Sequence, residues 1–201
     1  MSPAIVVNAA VEGIVDAAIV RRLLENSHLA LGEVYGKKGK GHLIQKINAY
    51  NLAARFAPWI VLMDLDRDDE CAPPFRYSKL PDPAPYLCFR IAVRTIESWL
   101  LADRENLSRF LAVAVSIIPN DPERLDNPKE TIVNIARRSR RKGIREGMVP
   151  RPGSGRTTGP TYSSRIIEFA SKDWCPATAS RRADSLKRAI RCLERFVHEA
   201  I

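Results

Sequence analysis

Residues 60–70 read IVLMDLDRDDE: four apolar residues run straight into a segment with five acids and one arginine. Carboxylates this dense repel one another, and some resist ionising unless a cation lies among them. Asp64 and Asp66 flank Leu65. Side chains alternate along an extended strand, so both carboxylates are expected to face one side. Two carboxylates aimed at one point suit a hard divalent cation, since magnesium takes oxygen ligands and commonly uses one or two carboxylates plus phosphate. Glu12 ends an earlier apolar run, IVVNAAVE, and reaches the same place if the two strands are neighbours. The expected ligands are therefore Glu12, Asp64 and Asp66, with Mg2+ or Mn2+ as the ion. The plainer reading is that Asp64 or Asp66 caps a turn. Asp68, Asp69 and Glu70 read as a solvated loop or as extra ligands.

Glu97 follows the fourth apolar run, one helical turn after Arg94. It is a candidate third acid, as in two-metal sites where the ions clamp the attacking and leaving oxygens. The alternatives are a helix cap or an ion pair with Arg94. GKKGKG, at 36–41, invites comparison with a phosphate loop, but His42 and Leu43 stand where the motif needs Lys and Ser or Thr. It can still hold phosphate through backbone N–H groups and Lys38 or Lys40. The three histidines lack ligand spacing, and the four cysteines form no CxxC pair, so a zinc site is not expected. Reduced thiols in a cytoplasmic protein are expected instead.

The elements that must position these groups follow from periodicity. IVVNAAVE reads as a buried strand, and LALGEVY, PWIVLMD and YLCFRIAV as the second, third and fourth strands. Between the first three lie the helical patterns IVDAAIVRRLLEN and about His42 to Phe56. CAPPFRYSKLPDPAP reads as a loop, and RTIESWLLADRENLSRFLAV as a helix broken near Asp103. Alternating strand and helix with short connections predicts an α/β fold with a doubly wound parallel sheet. Ligands in such sheets sit beyond the carboxyl ends of the strands, which here carry VEG, GKKGKG, DLDRDD and the turn into RTIES.

Residues 127–201 are expected to be a basic helical extension packed on a domain of residues 1–126. Asn127, Pro128 and Glu130 make a helix start, running through Ile135 into ARRSRRKGIR. A Gly/Pro/Ser/Thr-rich loop follows, and a last helix from about Ser180 carries the stripe Leu186, Ile190, Leu193, Val197. The net charge is +9, and all of the excess lies late: residues 1–129 hold 16 basic and 16 acidic side chains, residues 130–201 hold 16 and 7. That asymmetry suggests a polyanionic partner, nucleic acid above all. Arg137, Arg138, Arg140, Arg141 and Lys142 crowd like charges, and Arg151 and Arg156 sit on the glycine-rich loop. Lys38, Lys40, Arg94, Arg140, Arg141 and Arg156 are the candidate phosphate contacts. Tyr162 and Trp174 read as core residues or as platforms for bases. No apolar run reaches the length of a membrane span, and the first residues read as a strand rather than a signal peptide.

VEGIVDA, followed by a strand ending in DLD, resembles the Toprim fold of topoisomerases, bacterial primases and OLD-type nucleases. Glu12, Gly13 and Asp16 match its first block, and Asp64 and Asp66 its second; the resemblance covers roughly residues 4–110. RIAVRTIESWLLADRENLSRFL is further similar to the small stand-alone Toprim-like proteins of bacteria, some of which stand beside ATPases in anti-phage systems. The resemblance implies Mg-dependent phosphodiester chemistry on nucleic acid, with Glu12 as general acid/base and Asp64 and Asp66 as metal ligands. It also implies a second possibility, a non-catalytic nucleic-acid-binding or effector subunit with an ATPase partner. No tyrosine nucleophile from a partner domain is visible, so strand passage is not expected. MDLDRD also resembles the haloacid-dehalogenase-type phosphatases, but Asp68 stands where they carry Thr or Val.

Overall fold

Apolar residues on both faces of a strand require cover on both faces, and the first, third and fourth strands find it, while the second, an edge strand, has no fully buried residue. The computed structural model describes residues 5–198. In chain order the elements are β1 (Val6–Val11), α1 (Ile14–Asn26), β2 (Ala30–Gly36), α2 (Lys40–Ala53), β3 (Trp59–Asp64), α3 (Ala72–Lys79), β4 (Leu87–Ala92), α4 (Glu97–Ala102), α5 (Arg104–Leu111), α6 (Pro128–Arg137), α7 (Lys142–Met148), α8 (Tyr162–Lys172), α9 (Pro176–Ala179) and α10 (Asp184–His198). The start expected for β1 at residue 4 lies outside the described residues.

The sheet is all-parallel, in the order β2-β1-β3-β4. The chain first steps from β1 to β2, then returns past β1 to β3 and on to β4. Right-handed crossovers therefore place α1 on one face and α2 and α3 on the other. Leu43, Ile47 and Tyr50 of α2 and Phe75 of α3 pack with Trp59, Val61, Met63, Leu87, Phe89 and Ile91. Ile19, Val20, Leu23 and Leu24 of α1 are buried against β1 and β2, and α10 lies on β4. This is the doubly wound α/β class that the strand pattern predicts.

Several local expectations change. The Pro-rich segment after β3 contains α3, because prolines in a first helical turn lack N–H groups that would be unpaired there anyway. The basic helix stops at Arg137; the Ser139 hydroxyl accepts the Arg141 N–H at 3.0 Å and the Ser139 carbonyl accepts from Arg145, so α7 starts afresh. The break at Asp103 is present, its carboxylate accepting the Cys175 N–H and the Asn106 amide, both at 2.7 Å. Helix α8 was not among the expectations, although Tyr162, Ile166, Phe169 and Ala170 bury one helical face.

The chain divides into two compact units. One joins the sheet, up to Val93, with the last helix from Asp184; the other runs Arg94–Ala183. The expected boundary at 126/127 thus falls inside the second unit, because α4 packs with α6 and α9, while α10 returns to β4. The backbone N–H of Val93 donates to Ser185 Oγ at 3.3 Å, so the chain leaves and re-enters the sheet unit side by side. In the helical unit every residue of α4 is buried, and Trp174 donates its indole N–H to the Trp99 carbonyl at 3.2 Å. Among the described residues no helix is long and apolar enough to cross a membrane.

Candidate functional site

Parallel sheets of this order leave a crevice at the carboxyl ends where neighbouring connections depart to opposite faces. Here that point lies between β1 and β3. Glu12 follows the end of β1, Asp64 is the last residue of β3, and the Asp64 backbone N–H donates to Glu12 Oε1 at 2.8 Å. Sequence reasoning required the two strands to be neighbours, and they pair directly.

Three further groups close around Glu12. The turn after β2 lies over it: the Lys37 N–H donates to the Val11 carbonyl at 2.8 Å and the Gly39 N–H to the Glu12 carbonyl at 3.0 Å. That turn needs a left-handed residue at Gly36 (φ +85°), where a Cβ would stand 2.3 Å from the Val11 oxygen. Asp16, in the first turn of α1, is buried beside Gly13. Lys40 opens α2 and turns its ammonium onto the acidic loop, bonding Asp66 Oδ2 at 2.8 Å, Asp68 Oδ2 at 2.7 Å and the Leu65 carbonyl at 3.3 Å.

Electrostatics follow from this packing. Burial pushes the Glu12 carboxyl up to about 7; the Asp64 N–H and Lys40 oppose the rise, and the charges of Asp16 and Asp66 add to it. Burial alone would pull the Lys40 ammonium down, but Asp66 and Asp68 outweigh it and the net shift is upward.

Asp66 differs from the expectation in geometry. The alternation that was to aim Asp64 and Asp66 alike ends at Asp64. Leu65 turns inward and is fully buried, its N–H held by the Ala92 carbonyl at 2.9 Å, and Asp66 adopts φ +53°. Lys40, expected to meet phosphate, instead neutralises the loop. Asp68, read as a solvated loop residue or an extra ligand, is one of its partners. Lys38 is exposed in the turn before α2. The tie from Lys40 to Asp66 and Asp68 is the part that sequence reasoning missed. VEGIVDA contains Asp16, but nothing local marks Lys40 as a partner of residues 26 and 28 positions away.

Glu97 belongs to the helical unit. It is buried at the start of α4 and accepts the Tyr162 hydroxyl at 3.3 Å. Burial and the Glu97 charge hold the Tyr162 phenol well above its usual range. Tyr162 and Trp174 are core residues, 2% and 0% exposed, so neither is a platform for bases. Arg94 opens this unit with φ +60°. Arg140 and Arg141 are exposed in the bend between α6 and α7, and Arg156 is exposed on the glycine-rich loop. Arg141 lines a cavity of about 590 Å³ with Arg109, Arg165 and Phe110. Arg138 and Arg140 line a neighbouring one of about 310 Å³.

The donor set at the strand ends is all carboxylate oxygen, the chemistry magnesium or manganese prefers. Among the described residues no group of three or more acids, histidines or cysteines is gathered tightly enough to hold a metal ion. One or two carboxylates suffice where phosphate supplies the remaining oxygens, so the residues fit an ion shared with a phosphorylated ligand rather than an all-protein cage. No family model, curated protein or solved structure matches the chain.

Proposed function

We propose that this chain is a Toprim-like, divalent-metal-dependent phosphodiesterase acting on nucleic acid. The observation that carries the reading is the placement of Glu12 and Asp64 on either side of the strand-order reversal, joined by a 2.8 Å hydrogen bond. Asp64 and Asp66 are the residues that would hold Mg2+ or Mn2+. Such an ion stabilises charge on a transferring phosphoryl group and lowers the pKa of bound water. Glu12, with its carboxyl near 7, is part protonated at neutral pH, where a group can both take and give a proton. Lys40 positions the acidic loop. Lys38, Arg140, Arg141 and Arg156 supply phosphate contacts, which give affinity without sequence choice. Glu97, buried against Tyr162, has a structural use of its own, and its part in the reaction rests on the analogy with two-metal sites alone.

A second reading has its own support. Lys40 already places a cation on Asp66 and Asp68, and a site neutralised in this way suits a non-catalytic nucleic-acid-binding or effector subunit that works with an ATPase. Two measurements separate the readings. Calorimetric titration with MgCl2 or MnCl2 should show binding that Asp64→Asn/Asp66→Asn abolishes. Hydrolysis of single- and double-stranded DNA and RNA should then fall at least about a hundredfold in Glu12→Gln, the usual scale for loss of a general acid/base. Metal binding without hydrolysis favours the second reading; no metal binding by the wild type removes the first.

A further inference from the structure

The sheet unit holds a second cluster of ionisable groups, on the face covered by α10. Cys88 and Arg90 are two residues apart on β4, so both project from that face. Cys192 and Arg195 are one helical turn apart on α10. The two thiols lie close enough to interact, and the Arg90 guanidinium lies beside both sulfurs. Arg195 Nη2 donates to Cys192 Sγ at 3.3 Å. Cys88 is fully buried, Cys192 is 2% exposed, and both are free thiols.

A guanidinium stays charged under all ordinary conditions, and the half-buried Arg90 favours negative charge on the groups beside it. Among the described residues no carboxylate lies within ion-pairing distance of Arg90; its polar contacts are the two sulfurs, and its Nε is buried without a partner. The groups beside it that can take up negative charge are the two thiols. Cys192, with guanidinium groups from both elements beside it, is the sulfur placed to carry it. Cys88 first, and then the two arginines, hold the Cys192 thiol below its usual range against the opposing effect of burial, while burial first, and Cys192 second, push Cys88 up. The thiolate is the nucleophilic form of cysteine, and here a second thiol already touches it.

We propose that Cys192 and Cys88 form an oxidation site, at which a peroxide converts Cys192 to a sulfenic acid and Cys88 resolves it to a disulfide. The Cys192 thiolate attacks one peroxide oxygen, the O–O bond breaks, and hydroxide leaves; the sulfur loses two electrons and the peroxide gains them. The Cys88 thiol then gives up its proton and attacks the sulfenic sulfur. The S–S bond forms, the S–O bond breaks, and the departing hydroxide takes the proton to leave as water. The product ties α10 to β4, the two segments that flank the excursion from Arg94 to Ala183.

The test uses the reduced full chain treated with hydrogen peroxide, then denatured, alkylated with iodoacetamide and digested without reductant. Mass spectrometry should find a Cys88–Cys192 cross-linked peptide that dithiothreitol reverses, and the oxidised form should melt several degrees higher. Cys192→Ser removes the proposed nucleophile, so Cys88→Ser, which leaves the Cys192 sulfur beside Arg90 and Arg195, is the informative variant. In it the cross-link should vanish and dimedone should label Cys192. The wild-type peptide map decides the matter even if that variant fails to fold. The proposal fails if, at a peroxide dose that oxidises the exposed Cys71, both Cys88 and Cys192 still take iodoacetamide after denaturation. It fails equally if either thiol cross-links to Cys71 or Cys175 instead.

Discussion

Glu12 is a carboxyl held where its neutral form is favoured, and this sets a testable pH signature. Its pKa is about 7 folded against 4.5 as a free side chain, so the native state holds a proton there that the unfolded chain has released. That contribution is complete below the unfolded value and is lost as pH rises through 7. Glu12→Gln stays neutral and can still accept the Asp64 N–H. In chelator, the variant and wild type should show the same urea midpoint at pH 4, and the variant should be more stable by about 2 kcal/mol at pH 8, after discounting for partial solvent screening. Equal stability at both pH values would mean that Glu12 is well solvated. Lys40 gives a second prediction. It places a positive charge on Asp66 and Asp68, so Lys40→Met should tighten magnesium binding by about tenfold, a change of about 1.4 kcal/mol, in the same calorimetric titration. At this scale the meeting of Glu12 and Asp64 was legible because acids at the ends of apolar runs conflict with burial. Lys40 and the Cys88–Cys192 pair were not, because their partners are distant in sequence and lie inside ordinary-looking elements.

Among the elements, the turn joining β2 to α2 is the one the site depends on most. It lies over the end of β1 through two backbone bonds, and only glycine allows the chain to leave β2 at Gly36. Gly36→Ala adds a Cβ 2.3 Å from the Val11 oxygen at φ +85°. It should cost about 3 kcal/mol in urea denaturation, combining left-handed strain with a steric shift. A loss below about 1 kcal/mol would mean that the turn relaxes freely, and the site with it. The strands and α1 were readable because a buried parallel strand is a short unbroken apolar run and an amphipathic helix repeats its apolar face. Helix α3 was hidden by prolines, which read as a loop unless the first-turn exception is applied. The break at Ser139 was hidden because a side-chain cap on the following turn leaves no periodic signal.

For the whole molecule, the sequence separated a neutral first part from a basic last part, yet the compact units do not follow that charge boundary. Periodicity reports which residues are buried, not against which element, so the return of α10 to β4 could not be read in advance. The exposed arginines at 137, 138, 140 and 141 gather in the bend between α6 and α7. Replacing all four with glutamine should lower the slope of log K against log salt for DNA binding by about 0.7–0.9 for each phosphate no longer neutralised. An unchanged slope in filter-binding or anisotropy titrations would place the polyanion elsewhere.

The pairing of β4 with α10 also imposes an order on synthesis. Strand β4 leaves the ribosome with one face awaiting cover, including Cys88, Arg90 and Ala92, and the helix that covers it is encoded about a hundred residues later. At roughly 5–20 residues per second the face waits about 5–20 s. During that interval the guanidinium of Arg90 and the Cys88 thiol meet solvent and chaperones before they meet Cys192. The excursion from Arg94 to Ala183 has that time to fold while this face of the sheet is still uncovered, and a nascent chain stalled before Asp184 would expose that face to aggregation.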